Sequence, residues 1–288
     1  MSRPDYYSIK MISNSGLKHF AHNSPFKALW LLENGLKETD ALIEGRACHK
    51  AILEPETFFD EFEYIPESIT VETTNKKTGE VTQKVEAYHG NKKVFKDKIK
   101  EIQESGRTPL KPSQKEMIDS LCNRFFSSKN AVTLLKGCEP EKEYYGELFG
   151  KEFKVKVDAI NEEKGYIIDL KTCTNADPDE CLKKIHELDY DQQGWIYPEI
   201  ASQFTKKPIT KFFFIFIEKS KPNSMCIIEM SKVMFDIGRE KAIHAMALYK
   251  YALKNPTKDH DSLPQGQKHF QYELPDWMVR KYNLEGED

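Results

Sequence analysis

The octet GYIIDLKT at residues 165–172 places the tightest constraint on what this chain can fold into. Tyr166, Ile167 and Ile168 form an apolar run entered through the turn NEEKG, the pattern of a buried strand. The run then meets Asp169 and Lys171, opposite charges two residues apart. Alternation along a strand puts those two on one face and Leu170 on the other. A core strand that finishes this way is either a plain exposed strand end or a charged site mounted on a rigid strand.

The flanking sequence supplies neighbours for that strand. In FKVKVDAI, Phe153, Val155 and Val157 alternate with Lys154, Lys156 and Asp158, so Asp158 shares the polar face with the two lysines. The longer stretch EKEYYGELFGKEFKVKVDAI reads as a hairpin turning near Phe149-Gly150. Downstream lies a helical region over roughly 178–204, broken near Asp189, with Pro198 expected to kink it. Two strands around a Lys-Pro-Asn-Ser turn follow, and then a helix over roughly 232–254.

Upstream, SNSGLKHF suggests a helix capped by Ser13 or Ser15, and Ser24-Pro25 opens a second. Ala47, Cys48, Ala51 and Ile52 give a third helical face that stops near Pro55. Residues 67–98 read as an exposed hairpin or flexible insertion, and 113–128 as an amphipathic helix carrying Met117, Leu121 and Phe125. This order predicts an α/β fold with a mixed central β-sheet flanked by helices. One domain is expected across 1–288, with N-terminal helices to about 60 and an insertion over about 66–110. A core over about 113–255 and a polar tail over about 256–288 complete it.

Composition narrows the class. With 39% hydrophobic and 31% charged residues and a formal net charge of −3, the chain reads as soluble and globular, not disordered. Its longest apolar stretch, FFFIFI, is far short of the ~20 residues a spanning helix needs. No signal-peptide pattern opens the chain, so the expected compartment is the cytoplasm of a bacterium or phage-infected host. The six cysteines form no Cys-x-x-Cys pair, which disfavours a zinc knuckle or an iron–sulfur cluster.

If the strands flanking NEEKG are neighbours, Asp158 and Asp169 converge. Two close carboxylates repel unless a cation lies between them. Mg²⁺ suits such a site because it takes oxygen ligands and leaves room for substrate phosphate, and Mn²⁺ is expected to substitute. Lys171 is then placed to orient or deprotonate the attacking water and to stabilise charge on a phosphate. The run NKKVFKDKIK, which includes Lys92 and Lys93, is either a solvated face or a track for DNA phosphates.

Asp158 followed by Asp169-Leu170-Lys171 resembles the PD-(D/E)XK nuclease signature, with Val157 in place of its proline. GRACHKAILEP is similar to the Gly-x-x-x-His helix of the RecB- and RecE-like branch, and Gln193 and Tyr197 match its Gln-x-x-x-Tyr motif. ISNSGL and GRTPLKPSQKEMI also look like RecE counterparts. Another acidic residue of that branch falls on Glu141 or, less well by spacing, on Glu143.

The resemblance implies a RecE-like exonuclease of phage recombination systems. Asp158, Asp169, the Leu170 carbonyl, His49 and Glu141 would hold the metal, and Asp158, Asp169, Lys171 and Glu141 would carry the chemistry. Gln193 and Tyr197 would contact DNA or order the lysine, and Lys154, Lys156, Lys92 and Lys93 are further candidates for DNA contact. It further implies 5′–3′ digestion from double-stranded ends, a ring-shaped homo-oligomer and a single-strand annealing partner, with no membrane. The competing readings are a site- or structure-specific endonuclease with the same core and a non-catalytic DNA-binding relative.

Overall fold

The computed structural model describes residues 6–74 and 78–255; the predicted tail at 256–288 lies outside the described residues. Ser13 caps α1 (Asn14–His22) by accepting the Gly16 N–H, Pro25 opens α2 (Pro25–Asn34), and Thr39 caps α3 (Asp40–Leu53). After α4 (Phe58–Glu61) and β1 (Phe62–Tyr64) comes an antiparallel hairpin, β2 (Ser68–Thr74) with β3 (Val81–Ala87). Next follow α5 (Lys93–Glu104) and β4 (Thr108–Leu110), which returns to pair in parallel with β1.

The core begins with α6 (Pro112–Ser127) and α7 (Lys129–Leu135), then β5 (Glu139–Leu148), β6 (Lys151–Asn161) and β7 (Tyr166–Cys173). The expected break at Asp189, held left-handed at φ 50°, separates α8 (Pro178–Glu187) from α9 (Tyr190–Ala201). β8 (Lys211–Glu218), β9 (Met225–Glu229) and α10 (Lys232–Lys254) finish the described chain.

Strands β5 to β9 form one sheet in sequence order. All its pairings are antiparallel except β7 with β8, which the α8–α9 crossover makes parallel. The sheet is mixed and helices cover both faces, as predicted from the element order. On one face Leu17 of α1, Ile196 and Ile200 of α9 and Ala245 of α10 pack with Phe153, Val155, Phe212 and Phe214. On the other, Cys48 and Ile52 of α3 and Leu121 and Phe125 of α6 pack with Ile168, Leu170, Ile215 and Ile217. The unbroken run FFFIFI follows, because β8 buries both of its faces. Full burial of each such side chain is worth roughly 1.5–3 kcal/mol.

Two features of this frame prepare the site. First, β6 pairs with β5 along nearly its whole length but with β7 only from Asn161↔Tyr166 to Ala159↔Ile168. Beyond that point the two strands part. Second, the edge of β6 freed by this parting takes up the N-terminal segment. The Ile12 N–H donates to the Glu152 carbonyl at 3.1 Å and the Lys154 N–H to the Ile12 carbonyl at 2.8 Å. Thus α1 starts beside the split.

Candidate active site

The site is built where the β6–β7 ladder fails. Continuing the register past Ala159↔Ile168 sets Asp158 opposite Asp169. At that level no backbone pairing remains, and the Asp158 carboxylate replaces it by accepting the Leu170 N–H at 2.8 Å. On the other edge of β6, the register between Pro140↔Ala159 and Lys142↔Val157 sets Glu141 opposite Asp158. That one pair drops out of the ladder because Glu141 is left-handed, φ 50°. A non-glycine residue in this conformation costs about 1–3 kcal/mol, which marks Glu141 rather than Glu143 as the strained position. Glu143, two residues on, instead accepts from the Tyr145 hydroxyl.

Cys48 and Ala47 anchor α3 in the core and leave His49 at the split. Its Nδ1 lies 3.3 Å from Asp158 Oδ2. One ligand atom each from His49, Glu141 and Asp158 falls within 4.8 Å of the others, the geometry of a group able to hold a cation. Lys156 pairs with Glu141 at 2.8 Å on the outer side.

Asp169 is 1% exposed and is not one of that group of three. Its Oδ1 accepts from Gln193 Nε2 of α9, and its Oδ2 lies 2.6 Å from the Lys171 ammonium. That ion pair is the one polar contact of the buried Asp169 Oδ2 among the described residues. Gln193 also accepts from Lys171 through Oε1 at 3.3 Å, so one amide fixes both charged groups. The Lys171 ammonium completes its setting 4.5 Å from the centroid of the Tyr190 ring. α9 cannot drift from this position: a Cβ on Gly238 of α10 would come within 2.1 Å of the Asp191 carbonyl.

The electrostatics follow from crowding. Burial, and then Asp158, raise Asp169 to about 6 in spite of Lys171. Burial followed by Asp158 also raises Glu141, against Lys156 and His49. Burial works against charge on Asp158, but His49, Lys171 and the Leu170 N–H together hold it below the usual carboxylate range. His49 is raised in turn, because Asp158 outweighs the burial of the imidazole. Burial opposes the Lys171 ammonium, yet Asp169 and Asp158 raise its pKa, so it stays protonated. Three carboxylates, a histidine and two lysines thus crowd one site, and two of the carboxylates, Asp169 and Glu141, are held there against their charged form.

Of the residues singled out in the sequence, Asp158, Asp169, Leu170, Lys171, His49, Glu141, Gln193 and Lys156 meet here. Tyr197 lies one turn beyond Gln193 on α9 and packs against the core. Lys154 is a correction to its predicted place on an open polar face. It is 8% exposed and donates to the Tyr6 and Ile9 carbonyls at 2.7 and 2.8 Å. Strand alternation assigned it a face but could not show that residues 6–12 cover that face. Lys92 and Lys93 lie in the insertion at the start of α5, where Lys92 pairs with Glu86 and donates to the Ala87 carbonyl. Sequence reasoning missed Tyr190, whose only signal was its place one turn before Gln193.

The sequence matches the family model described as a PDDEXK-like domain of unknown function, DUF3799, over residues 13–262. The chain belongs to this family. The matched span covers most of the 288 residues and includes every residue of the site. The PD-(D/E)XK resemblance read from Asp158, Asp169 and Lys171 is therefore borne out. No curated protein matches the sequence.

Among solved structures, a "Putative exonuclease" from Eubacterium rectale aligns at 18% identity over 97% of each chain, with a TM-score of 0.62. That likeness establishes a shared fold. A "phage related exonuclease" from Haemophilus somnus 129PT aligns at 14% identity and a TM-score of 0.34, over 58% of this chain and 85% of that one. No helix among the described residues is long and apolar enough to cross a membrane.

Proposed function

We propose that the protein is a divalent-metal-dependent deoxyribonuclease that hydrolyses phosphodiesters from the ends of double-stranded DNA. The observation that carries this reading is the grouping of His49, Glu141 and Asp158 within 4.8 Å, beside a lysine clamped to a buried aspartate. The donor set fits a cation. Two carboxylates oppose each other across β5 and β6 beside an imidazole, and the buried Asp169 Oδ2 has only the Lys171 ammonium against it among the described residues. Carboxylate oxygens suit Mg²⁺ and Mn²⁺, and the imidazole is tolerated by the second more readily than by the first.

His49, Glu141 and Asp158 would hold the ion, with Asp169 alongside. The N–H and C=O of a strand residue leave the same edge, so the Leu170 carbonyl also faces the split where its N–H meets Asp158. A divalent cation bound there would lower the pKa of water and stabilise charge developing on the phosphate. The protein's own groups supply the rest. Lys171 stays protonated and is placed to orient the attacking water and to balance charge on the phosphate oxygens. Gln193 holds Lys171 and Asp169 in fixed register, and Tyr190 screens the ammonium from bulk water.

Digestion in the 5′–3′ direction, a ring-shaped homo-oligomer and delivery of the product strand to a single-strand annealing protein belong to the same proposal. They rest on the PD-(D/E)XK, RecE-like resemblance. The test is incubation with linear duplex and with covalently closed circular duplex in Mg²⁺. Linear DNA should shorten from its ends while the circle stays intact. Cutting of the circle would replace the exonuclease reading with an endonuclease on the same core.

A further inference from the structure

The first α-helix brings a second lysine to the candidate site. Lys18, on α1, is half-buried, and its ammonium lies 5.1 Å from the centroid of the Tyr190 ring. The Lys171 ammonium lies 4.5 Å from the same centroid. Two cations therefore share one aromatic ring. Lys171 has a carboxylate, Asp169, at 2.6 Å, whereas among the described residues Lys18 forms no ion pair and no hydrogen bond. Long cationic side chains rarely sit this way without an anion, because burial removes water and the second ammonium repels the first. Burial, with Lys171 adding to it against Asp189 and Asp169, pushes Lys18 down to about 8.

Lys18 is also held in place. Leu17 beside it is fully buried in the sheet-face core. Asn14 Oδ1 accepts from Gln192 Nε2 at 2.9 Å, and both residues are buried, so α1 is pinned to α9 next to Gln193. A fixed ammonium with no carboxylate partner among the described residues, beside the candidate site, has the chemistry of an anion receptor.

We propose that Lys18 and Lys171, gathered around Tyr190, form a phosphate subsite that receives a backbone or terminal phosphate of the nucleic-acid strand being cut. The subsite rests on the nuclease reading above. Lys171 faces the reacting phosphate and Lys18 secures the strand. Lys18 is accordingly a binding residue, so its loss is felt in substrate affinity more than in turnover.

The experiment compares the wild type with Lys18→Met and Lys18→Arg; methionine keeps the apolar stem and removes a charge that has no ion-pair partner among the described residues. Each is assayed on linear duplex with 5′-phosphate and with 5′-hydroxyl ends, and DNA binding is followed by fluorescence anisotropy in EDTA over a salt series. Lys18→Met should raise KM ten- to a hundredfold, about the range of one charge-assisted hydrogen bond, with kcat changed less than about threefold. It should lower the slope of log affinity against log salt by about one, and Lys18→Arg should restore most of both. A KM effect confined to 5′-phosphorylated ends makes the ligand a terminal phosphate monoester; an equal effect on both makes it an internal diester. Wild-type KM and salt slope in Lys18→Met overturn the subsite. Should the wild type leave DNA uncut, the nuclease reading fails by itself, and the salt slope in EDTA still decides the subsite.

Discussion

Two ionic clusters adjoin α9, and they are built on opposite terms. At its N-terminus, Lys241 of α10 bridges Asp189 and Asp191 at 2.9 Å each and donates to the His186 carbonyl at 2.6 Å. His22 and His186 take the remaining carboxylate oxygens, and the Gln192 N–H bonds Asp191 as well. Each carboxylate oxygen has a partner. Although burial opposes it, Lys241 and then His22 hold Asp189 below the usual range. One turn further along, at the β6–β7 split, burial raises Asp169 to about 6 even with the Lys171 ammonium 2.6 Å from its Oδ2, and Glu141 is raised beside it. The first cluster is complete within the protein and fastens a helix. The second, on the proposed reading, is completed by a bound cation. A buried carboxylate whose charged form the fold favours fastens structure, and one whose charged form the fold disfavours marks a candidate functional site.

This contrast is open to attack at several strengths. The largest effect should come from Lys171→Ala and Asp158→Asn, which are expected to lower the rate of DNA hydrolysis by about a thousandfold. Glu141→Gln, which should also lose activity, removes a carboxylate whose charge burial and Asp158 disfavour, so its unfolding midpoint in EDTA should stay at or above wild type. Loss of stability matching the loss of activity would place this cluster with the structural one. Lys241→Met makes the opposite statement. It strands two buried carboxylates and should cost about 3 kcal/mol in urea unfolding, with the metal response of the surviving folded protein unchanged.

Acidity should separate the clusters next. Asp169, Glu141 and His49 all have pKa values raised by folding, so the native state binds more protons than the unfolded chain. Metal-free protein should lose stability as pH rises from about 4 through 6 and on past the ordinary histidine range, while Asp158, already ionised there, adds no slope. Asp189 has the reverse sign: its contribution is present above the ordinary aspartate pKa and is lost only in stronger acid. In step, the thermal shift produced by Mg²⁺ should grow as pH rises across 6, because the ligands must shed protons to bind. A shift independent of pH would separate the metal from these residues. The smallest effect is expected from Lys92→Ala and Lys93→Ala, which should change DNA affinity less than about twofold. A salt slope reduced by about one would instead put α5 on the DNA path.

Much of this was readable in the sequence, for reasons that differ by residue. The mixed sheet was legible because strand and helix periods switch cleanly from 139 to 254, and the break at Asp189 because the helical pattern lapses there. Asp158, Asp169 and Lys171 were legible because strand ends bearing charge are few and their order is distinctive. Spacing to the hairpin favoured Glu141 over Glu143 only modestly; the left-handed backbone at Glu141, its register opposite Asp158 and its place beside His49 support the same choice. Lys154 was misplaced because what covers it comes from residues more than a hundred positions away. Lys18 and Tyr190 are ordinary residue types on ordinary helices, and only the packing of α1 against α9 gives them meaning.

The central claim is that the split between β6 and β7 is a metal centre completed from outside the chain. Calorimetric titration of Mn²⁺ into the wild type, Asp158→Asn and Glu141→Gln at about pH 7.5 tests it most directly. The account predicts saturable binding in the wild type, weakened at least about tenfold in each variant. Identical isotherms for the three proteins, or none in the wild type, would contradict it.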